Sequence, residues 1–464
     1  MKEATHIINK VFLEVNTNSS KKAFALKDNL GVFLRHQLFP MIERYFETKN
    51  TVLSGSTLRF NKIEIEINQT DVENLNSLKN NIFNSFKEKI DSEIKNASNY
   101  TEDQNKLLIL SKNKSKQDAF IYFLQTGEKP WWQINTSTLF DEVGIKSIIS
   151  DEGFSARFIK ALAHQKARQR LVNQFNDSIL TLLLATPNSK KTTANRKIFS
   201  VLQSDKQLRH TFWMAIMKAY RYKDTSEVKI MVKQLTVFKT INLKQIEALE
   251  NFASGLVNKP LNKKKEIEPS KEKDLFLKTN ITEEKEANEQ EKEVATTTEK
   301  SLYINNAGLL LMHPFLKQLF INAKLADSKG NLIDSKKEKA IHLLHYLSTK
   351  QEQQLESELV LEKFLCRYPI NQTMQRFIAL PQDLKLMAEE VLQSAVTHWK
   401  ALKNTSPDGL RTGFLQREGK LIVENKNCKI IVERKAQDIL LDKIPWNIHL
   451  IKLPWLEHLI FVEW

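Results

Sequence analysis

The chain has few cysteines, glycines and prolines: two, eleven and eleven among 464 residues. Cys366 and Cys428 are too few for a disulfide framework or a cysteine metal site, which fits a reducing compartment. Scarce Gly and Pro favour long helices over a sandwich or a barrel, which needs many tight turns. No apolar run approaches the roughly 20 residues that span a bilayer, and MKEATHIINKVFLEV lacks the pattern of a signal peptide. We therefore predict a protein that is made and kept, at least initially, in the cytoplasm.

Positive charge exceeds negative charge, and the formal net charge of +15 is unevenly distributed. The net charge is about +12 in residues 1–258, about −1 in 259–300 and about +4 in 301–464. Such an excess attracts nucleic acid or an acidic protein surface. The lysines are mixed with carboxylates and lack the Arg and aromatic interleaving of a single-strand groove. A solvated surface, or docking to an acidic protein, is therefore the preferred interpretation, and nucleic-acid binding is the less favoured one.

The first hundred residues alternate strand-like and helical patterns. HIINKVFLEV (6–15) and LRFNKIEIEI (58–67) are typical of strands, because apolar residues recur at alternate positions. Apolar residues at helical spacing follow each of them, at 22–48 and 73–96. We predict a small N-terminal β-α-β-α unit over residues 1–100.

Three further parts follow along the chain. Residues 116–256 carry helical patterns of about 10 to 18 residues each, which suit a helical array. Residues 257–300 are about half charged and nearly free of aromatics, so they bury too little apolar area to offset their ordering entropy. We predict a flexible charged linker there. Residues 301–464 contain clear helical patterns, then a hairpin pattern at 420–434 and two more strand-like stretches.

The predicted fold class is α+β and predominantly helical. The C-terminal domain is expected to be helical and closed by a small antiparallel sheet. Residues 443–464, KIPWNIHLIKLPWLEHLIFVEW, are rich in apolar and aromatic residues, although chain ends are normally polar and frayed. We predict that they join the sheet and carry its apolar face into the core.

Two histidines come closest to a metal-site pattern. His342 and His345 lie three apart on one predicted helix, with His313 nearby in the sequence. A zinc site needs further ligands and a second shell of supporting contacts. No HExxH motif, Cys pair or carboxylate cluster supplies them, and the surrounding leucines explain the segment as core packing. Cys366 lies in an apolar helical pattern and is expected to be an inert buried thiol. We predict no metal ligand and no cofactor.

Motifs of nucleophilic catalysis and of nucleotide binding are missing. The sequence has no G-x-S-x-G, GxxxxGK[ST] or GxGxxG motif. One polar string, TSPDGLRTGFLQREGK (405–420), could hold a phosphate or carboxylate through Arg411 and Arg417. We favour a turn with a short helix that directs Phe414 and Leu415 into the core. No catalytic residue is predicted, and an enzyme with a dispersed site is the remaining alternative.

The tryptophans of the last residues point to assembly with other proteins. Trp446, Trp455 and Trp464 lie close together in the sequence with Pro445 and Pro454. An uncovered sheet edge there would pair with another strand unless a partner covered it.

Several strings resemble the family of contractile injection system tape measure proteins, found in phage-tail-like particles of bacteria. The most specific feature is the order NAGLLLMHPFL, HLLHYL and HWKALKNTSPDGLR, then IPWN and LPW before VEW. LFPMIERYF (38–46), FLQTGEKPWW (123–132) and SELVLEKFLC (357–366) extend the resemblance into both ordered halves. The charged segment between these halves takes no part in it.

The resemblance implies a role in building a contractile particle, whose tube grows from a baseplate inside a sheath. It implies control of tube or sheath length, or of tube assembly, with tube, baseplate or cap proteins as partners. It also implies assembly in the cytoplasm and a place in the particle. An assembly chaperone or an initiator that does not measure is the alternative, since even a continuous helix of the whole chain reaches only about 700 Å. The interaction or structural candidates are Trp131, Trp132, Trp399, Arg411, Pro445, Trp446, Pro454, Trp455 and Trp464.

Overall fold

The structure is a computed structural model with two compact units. The first unit contains Met1–Asp118 and Trp131–Ile134, and the second contains Ala119–Pro130 and Asn135–Trp464. The second unit thus includes both the predicted helical region and the predicted C-terminal domain. The proposed division of the chain into four parts stays a prediction. The residues that the structure describes are 6–14, 24, 29–49, 56–67, 75–96, 107–133, 139–150, 153–184, 193–224, 226–236, 241–257, 300–424 and 427–464.

Helices and a pair of strands form the described part of the first unit. Helix α1 (Phe39–Lys49) follows a π-helical turn at Leu34–Leu38, and helix α2 spans Leu75–Asn96. Strands β1 (Ser56–Phe60) and β2 (Leu107–Ser111) pair in the antiparallel sense. The apolar faces of the helices meet in a small core, whose most buried members are Phe33, Leu38 and Ile90.

Two strand predictions in this unit need correction. The predicted strand at 6–15 is wrong, because residues 6–14 form no strand and Phe12 stays 84 % exposed. Alternating apolar residues form a strand only when a partner strand pairs with them. The strand predicted at 58–67 begins at Ser56 and already ends at Phe60. Its partner β2 was not predicted.

Short helices build the helical part of the second unit, which we define as residues 119–130 and 139–257; the first of these helices begins before it, at Lys112. Local caps start some of them: Asp205 accepts hydrogen bonds from the backbone N–H groups of Gln207 and Leu208 at 2.7 and 3.0 Å. Among the described residues no helix combines the length and apolar character required to cross a bilayer. The helices are α3 (Lys112–Thr126), α4 (Glu142–Ile149), α5 (Phe154–Ala161), α6 (Gln165–Gln174), α7 (Asp177–Leu184), α8 (Thr193–Gln203), α9 (Lys206–Tyr222), α10 (Ser226–Leu235) and α11 (Leu243–Val257).

The C-terminal part of the second unit, residues 300–464, combines helices with one five-stranded sheet. Short 3-10 and π-helical turns connect the longer elements, among them Ala307–Met312, Arg411–Leu415 and Ala436–Lys443. The elements are β3 (Lys300–Ile304), α12 (His313–Asn322), α13 (Lys337–Thr349), α14 (Val360–Leu365), α15 (Gln382–His398), α16 (Pro407–Leu410), β4 (Gly419–Glu424), β5 (Asn427–Val432), β6 (Leu450–Ile451) and β7 (Ile460–Glu463).

The strand order of this sheet is β3-β4-β5-β7-β6. Neighbouring strands are antiparallel except β5 and β7, which are parallel. Alternate residues such as Leu421, Ile430 and Ile460 point into the core and are fully buried. The mostly helical α+β class and the small antiparallel sheet are confirmed, and β4 with β5 forms the predicted hairpin. Neither β3 nor the parallel pair was predicted.

The last strand, β7, contains part of the apolar segment 443–464. β7 lies between β5 and β6, so it is hydrogen-bonded on both sides. The predicted seating of residues 443–464 in the sheet is therefore confirmed for this strand. The predicted linker, 257–300, lies outside the described residues apart from its ends, Val257 and Lys300.

Candidate functional site

Trp446 and Trp455 fasten the last part of the chain to segments far from it in sequence. The Nε1–H group of Trp446 donates to the carbonyl oxygen of Leu311 at 3.0 Å, and that of Trp455 donates to Leu365 at 2.7 Å. The Trp455 ring also lies 5.3 Å from the ring of Phe320, measured between centroids. Because each tryptophan combines a large packed area with a bonded N–H group, both stabilise the C-terminal core.

The remaining candidates near the chain end differ in exposure. Pro445 and Pro454 are exposed, each directly before a tryptophan that is bound to the core. Trp464 is half-buried and packs against the same core. Its Nε1 atom has no hydrogen-bond partner within the part of the chain that the structure describes. A role of these three residues in contacting another protein stays a prediction.

Trp399 and the string 405–420 form part of the same core. The Trp399 Nε1–H group donates to the carbonyl oxygen of Leu440 at 3.1 Å, and its ring lies 4.8 Å from that of Phe414. Phe414 and Leu415 are buried, as predicted from the sequence. The string therefore acts as a turn that carries apolar side chains inward.

The two arginines of this string are buried and paired with carboxylates. Arg411 binds Glu389 and Asp408, each at 2.6 Å, and its Nε–H group donates to a carbonyl oxygen of α13. Arg417 binds the buried carboxylate of Asp438 at 2.7 Å. Because protein groups occupy both guanidinium groups, the arrangement ties helices together and does not resemble an open anion site.

Trp131 and Trp132 lie in the first unit and are half-buried. Their rings meet edge to face with centroids 5.8 Å apart. The guanidinium group of Arg59 lies 4.0 Å from the centre of the Trp132 ring and also binds Asp118 at 3.2 Å. This cation–π contact stabilises the unit internally.

The histidines of α13 contact protein groups inside the core. The two ring nitrogens of His342 face the carbonyl oxygens of Glu352 and Gln375 at 3.0 and 2.8 Å. Burial is the main cause that lowers the pKa of His342 below its usual value. His345 is also buried, with Nδ1 3.5 Å from a carboxylate oxygen of Glu362. Across the described ranges, no group of three or more His, Cys, Asp or Glu side chains is placed to hold a metal ion.

The outer face of the five-stranded sheet carries apolar side chains that remain partly open. Strands β3, β5, β6 and β7 each contribute one, with 36 to 45 % of its surface exposed. Leu450 of β6 and Phe461 of β7 lie directly opposite each other in the register of these two strands. We call this surface the open sheet face. Its apolar residues are Tyr303, Ile431, Leu450 and Phe461.

The charged groups on the open sheet face contact other groups of the same face. Lys429 and Glu463, from the neighbouring strands β5 and β7, form an ion pair at 2.7 Å. The ammonium group of Lys420 lies 5.6 Å from the centre of the Tyr303 ring. This pairing lowers the cost of covering the face with another protein.

A buried group of charges lies between the helical part and the C-terminal part. The fully buried Arg170 of α6 donates to the Glu356 carboxylate, to the carbonyl oxygen of Leu124, and to that of Asn371 at 2.8 Å. Lys363 is equally buried, and its Nζ lies 3.2 Å from the second carboxylate oxygen of Glu356. Burial lowers the pKa of Lys363, and the Glu356 carboxylate opposes that shift. We call Arg170, Glu356 and Lys363 the ion cluster.

Polar side chains beside the ion cluster bind the backbone of the opposite part. The Gln174 side chain donates to the carbonyl oxygen of Met374 at 2.8 Å. The backbone N–H of Arg376 donates to the carbonyl oxygen of Asn173 at 3.1 Å, and the Gln375 side chain donates to the Asn173 side chain at 2.8 Å. The end of α6 thus holds a segment of the C-terminal part through matched hydrogen bonds.

A family profile described as contractile injection system tape measure protein matches residues 5–464, nearly the whole chain. The chain belongs to this family. The resemblance inferred from the sequence is confirmed, and with it a role in the assembly of a contractile tail. No curated protein and no solved structure showed a match.

Two of the strings that resemble the tape measure family meet at the ion cluster. FLQTGEKPWW supplies Gly127 and SELVLEKFLC supplies Lys363. Gly127 follows α3 with a φ of +77°, and a Cβ atom there would lie 2.8 Å from Arg170 Nη2 and 2.9 Å from Glu356 Oε1. Glycine is therefore needed at this position for both its backbone conformation and its lack of a side chain.

Replacement of Gly127 by Ala is expected to lower the free energy of unfolding by about 2–5 kcal/mol. The left-handed backbone costs about 1–2 kcal/mol and the crowding of the ion cluster adds a similar or larger amount. Gly153→Ala is the matched control, because Gly153 has a φ of +85° and no atom within 4 Å of the added Cβ. Gly153→Ala should lower the free energy of unfolding only by the cost of the left-handed backbone, about 1–2 kcal/mol. Denaturant unfolding of both variants measures the difference, and equal losses would contradict the crowding of the ion cluster.

The sequence alone did not reveal the ion cluster or the open sheet face. The sequence feature that belongs to the ion cluster is the polar string QKARQRLVNQ of α6, in which Arg170 and Gln174 are buried. Polar residues in a helix normally indicate a solvated face, so this burial could not be inferred. The sequence feature that belongs to the open sheet face is the run LIFV in HLIFVEW, because consecutive apolar residues place apolar side chains on both faces of a strand.

Proposed function

We propose that this member of the tape measure family is a non-enzymatic assembly protein that acts through contacts with other proteins of the particle. Tube, baseplate or cap proteins are the proposed partners. Assembly takes place in the cytoplasm, and the protein then stays in the finished particle. Its step is the control of tube or sheath length or of tube assembly.

The buried polar groups of the C-terminal part support a contact role over a catalytic one. Arg411 and Arg417 bind carboxylates within the core, and both ring nitrogens of His342 face backbone carbonyls. These groups are used to hold elements of the fold together. A reacting molecule would have to displace contacts that stabilise the core.

The open sheet face is the observation that carries the proposal. A sheet normally buries one face and solvates the other with polar residues. Here the outer face carries aromatic and aliphatic side chains on four of its five strands, and Phe461, 45 % exposed, lies directly across from Leu450, which is 42 % exposed. Exposed apolar residues that adjoin one another mark protein contact surfaces. The proposed occupant is a protein subunit of the tail.

Replacement of Phe461 by Asp is expected to stop or strongly reduce particle formation while the isolated protein stays folded. The added carboxylate would be desolvated against the partner, and the cation directly across from it, Lys429 of β5, is already paired with Glu463. Ile439→Asp is the matched control, because Ile439 is 71 % exposed on the 3-10 segment Ala436–Lys443, outside the sheet. Electron microscopy counts the particles in producing cells, and circular dichroism checks the fold.

Three results would count against the open sheet face as the contact surface. Normal particle numbers with Phe461→Asp would show that the face is not used. Equal losses with Phe461→Asp and Ile439→Asp would show that added surface charge alone impairs assembly. Unfolding of Phe461→Asp would require the milder Leu450→Ser variant, for which normal particle numbers would have the same negative meaning.

Two roles in assembly predict different tube lengths. A protein that measures through residues 258–299 requires a longer tube when this segment is lengthened. An insertion of 21 residues would add about 30 Å if it were helical. An initiator or cap predicts an unchanged tube. Electron microscopy of particles from cells that carry the insertion separates the two roles.

A further inference from the structure

Residues 258–299 begin and end on parts of the chain that contact each other. Helix α11 of the helical part ends at Val257, and β3 of the C-terminal part begins at Lys300. Both belong to the same compact unit. Leu355 adds an apolar contact to the ion cluster, because it comes from the C-terminal part, is 1 % exposed and belongs to the core of the helical part.

We propose that the ion cluster is an intramolecular clamp that holds the helical part and the C-terminal part at one separation, whatever the length of residues 258–299. A ruler that works by stretching this segment between its flanking parts is then excluded. The clamp itself is independent of the proposed function. Its consequence for tube length rests on that function.

The geometry of the clamp specifies one arrangement of the two parts. The planar guanidinium group of Arg170 has acceptors on both sides of the interface, Leu124 in the helical part and Glu356 with Asn371 in the C-terminal part. Gln174 accepts from the backbone N–H of Glu356 at 2.9 Å while it donates to the opposite backbone. A shift of either part would leave several of these buried groups unpaired at once, which favours a single register.

The covalent connection makes the closed arrangement dominant even for a modest interface. A flexible linker of about 40 residues, as the sequence predicts for 258–299, would give its ends an effective concentration on the order of 1 mM. An interface with a dissociation constant of about 10 μM would then be closed roughly a hundred times more often than open. Lengthening the tether by 21 residues lowers the effective concentration by less than a factor of about two, so the clamp should stay closed.

Distance measurement between the two parts of the full-length protein tests the clamp. Spin labels are attached at Lys229→Cys on α10 and Gln393→Cys on α15, both exposed positions outside the interface. The native Cys366 and Cys428 are buried, and a chain without introduced cysteines controls for their labelling. Pulsed electron paramagnetic resonance is expected to give the same distance distribution with and without a 21-residue insertion in 258–299. A shift to longer distances or a broad distribution on insertion would overturn the clamp.

The same distances are also measured in a variant with fewer contacts between the two parts. Gln174→Ala removes the hydrogen bonds to Glu356 and Met374 but no charge. It is expected to broaden the distance distribution of the chain with the insertion, while circular dichroism keeps its helical signal. The control is Lys146→Ala in the same doubly labelled chain, because Lys146 is exposed and lies outside the interface. A distribution that Gln174→Ala leaves as narrow as the control would show that the hydrogen bonds of Gln174 are not part of the clamp. Arg170→Met, which removes the guanidinium group of the ion cluster itself, must broaden the distribution, and a narrow one would overturn the clamp.

Tube length in particle-producing cells tests the consequence. The 21-residue insertion is expected to leave the tube length unchanged. A tube longer by about 30 Å, together with an unchanged label distance, would overturn the exclusion of this ruler. Failure of the proposed function is a separate result, because the label distances are measured on the isolated protein and do not depend on particle assembly.

Discussion

Replacement of Arg170 by Met is expected to lower the free energy of unfolding by about 3–5 kcal/mol, because Glu356 then stays buried without its guanidinium partner. Both side chains are fully buried, so water does not replace the lost contacts. The carbonyl oxygens of Leu124 and Asn371 lose a donor as well, which places the expected loss toward the upper end of this range. Urea unfolding of the purified protein, followed by circular dichroism, measures the loss.

An exposed pair provides the control for Arg170→Met. Arg367 binds Glu457 at 2.5 Å, but these side chains keep 60 and 68 % of their surface exposed. Arg367→Met is therefore expected to cost only about 0–1 kcal/mol. The double variant Arg170→Met with Glu356→Met should cost less than the sum of the single changes, since no carboxylate is left unpaired by the arginine. Equal losses at Arg170 and Arg367 would show that burial does not set the strength of the cluster.

Charge pairing across a long stretch of sequence explains why the cluster could not be predicted. Arg170 and Glu356 are 186 positions apart, and no spacing rule connects them. Sequence patterns report which face of a helix is apolar, and QKARQRLVNQ has no clear apolar face. The helix is buried because its polar groups find partners in another part of the chain, which only the folded structure brings together.

Local patterns predicted the elements whose formation depends on neighbours in sequence. The hairpin of β4 and β5 and the helices at 116–256 follow from apolar periodicity and turn residues, and they are present. Burial of Cys366 also agrees with its apolar helical surroundings, and this burial raises the pKa of its thiol. The predicted strand at 6–15 failed for the opposite reason, since a strand needs a pairing partner that the pattern cannot name. The parallel pairing of β5 and β7 is likewise a choice of partner between distant segments.

Two tryptophans that the sequence named as interaction or structural candidates have structural contacts in the core. Crowding of Trp446, Trp455 and Trp464 near the chain end made them candidates for an interaction or a structural role. In the structure the rings of Trp446 and Trp455 turn inward, because an indole N–H can bond a carbonyl while its ring is buried. The exposed apolar area lies instead on the open sheet face, on residues such as Phe461 that the candidate set did not include.

Removal of residues 458–464 is expected to abolish the cooperative unfolding of the C-terminal part. It deletes β7, which pairs with β5 on one side and β6 on the other. Burial of Ile460 and Val462 contributes about 1.5–3 kcal/mol each, and the lost strand leaves two sets of backbone groups unpaired. Together these losses approach the 5–15 kcal/mol that a typical domain has in total. Near-ultraviolet circular dichroism, which reports the packing of Trp399 and Trp455, should lose its signal.

A shorter truncation separates the loss of the strand from the loss of its last aromatic residue. Removal of Trp464 alone leaves β7 intact and takes away a half-buried ring. It should cost only about 1–2 kcal/mol, with the near-ultraviolet signal retained. A chain without 458–464 that still unfolded cooperatively, with Trp455 as protected from solvent quenchers as before, would mean that β7 does not hold the sheet together. The open sheet face of the full chain would then rest on a strand that the core does not require, because β7 carries Phe461 and lies between β5 and β6.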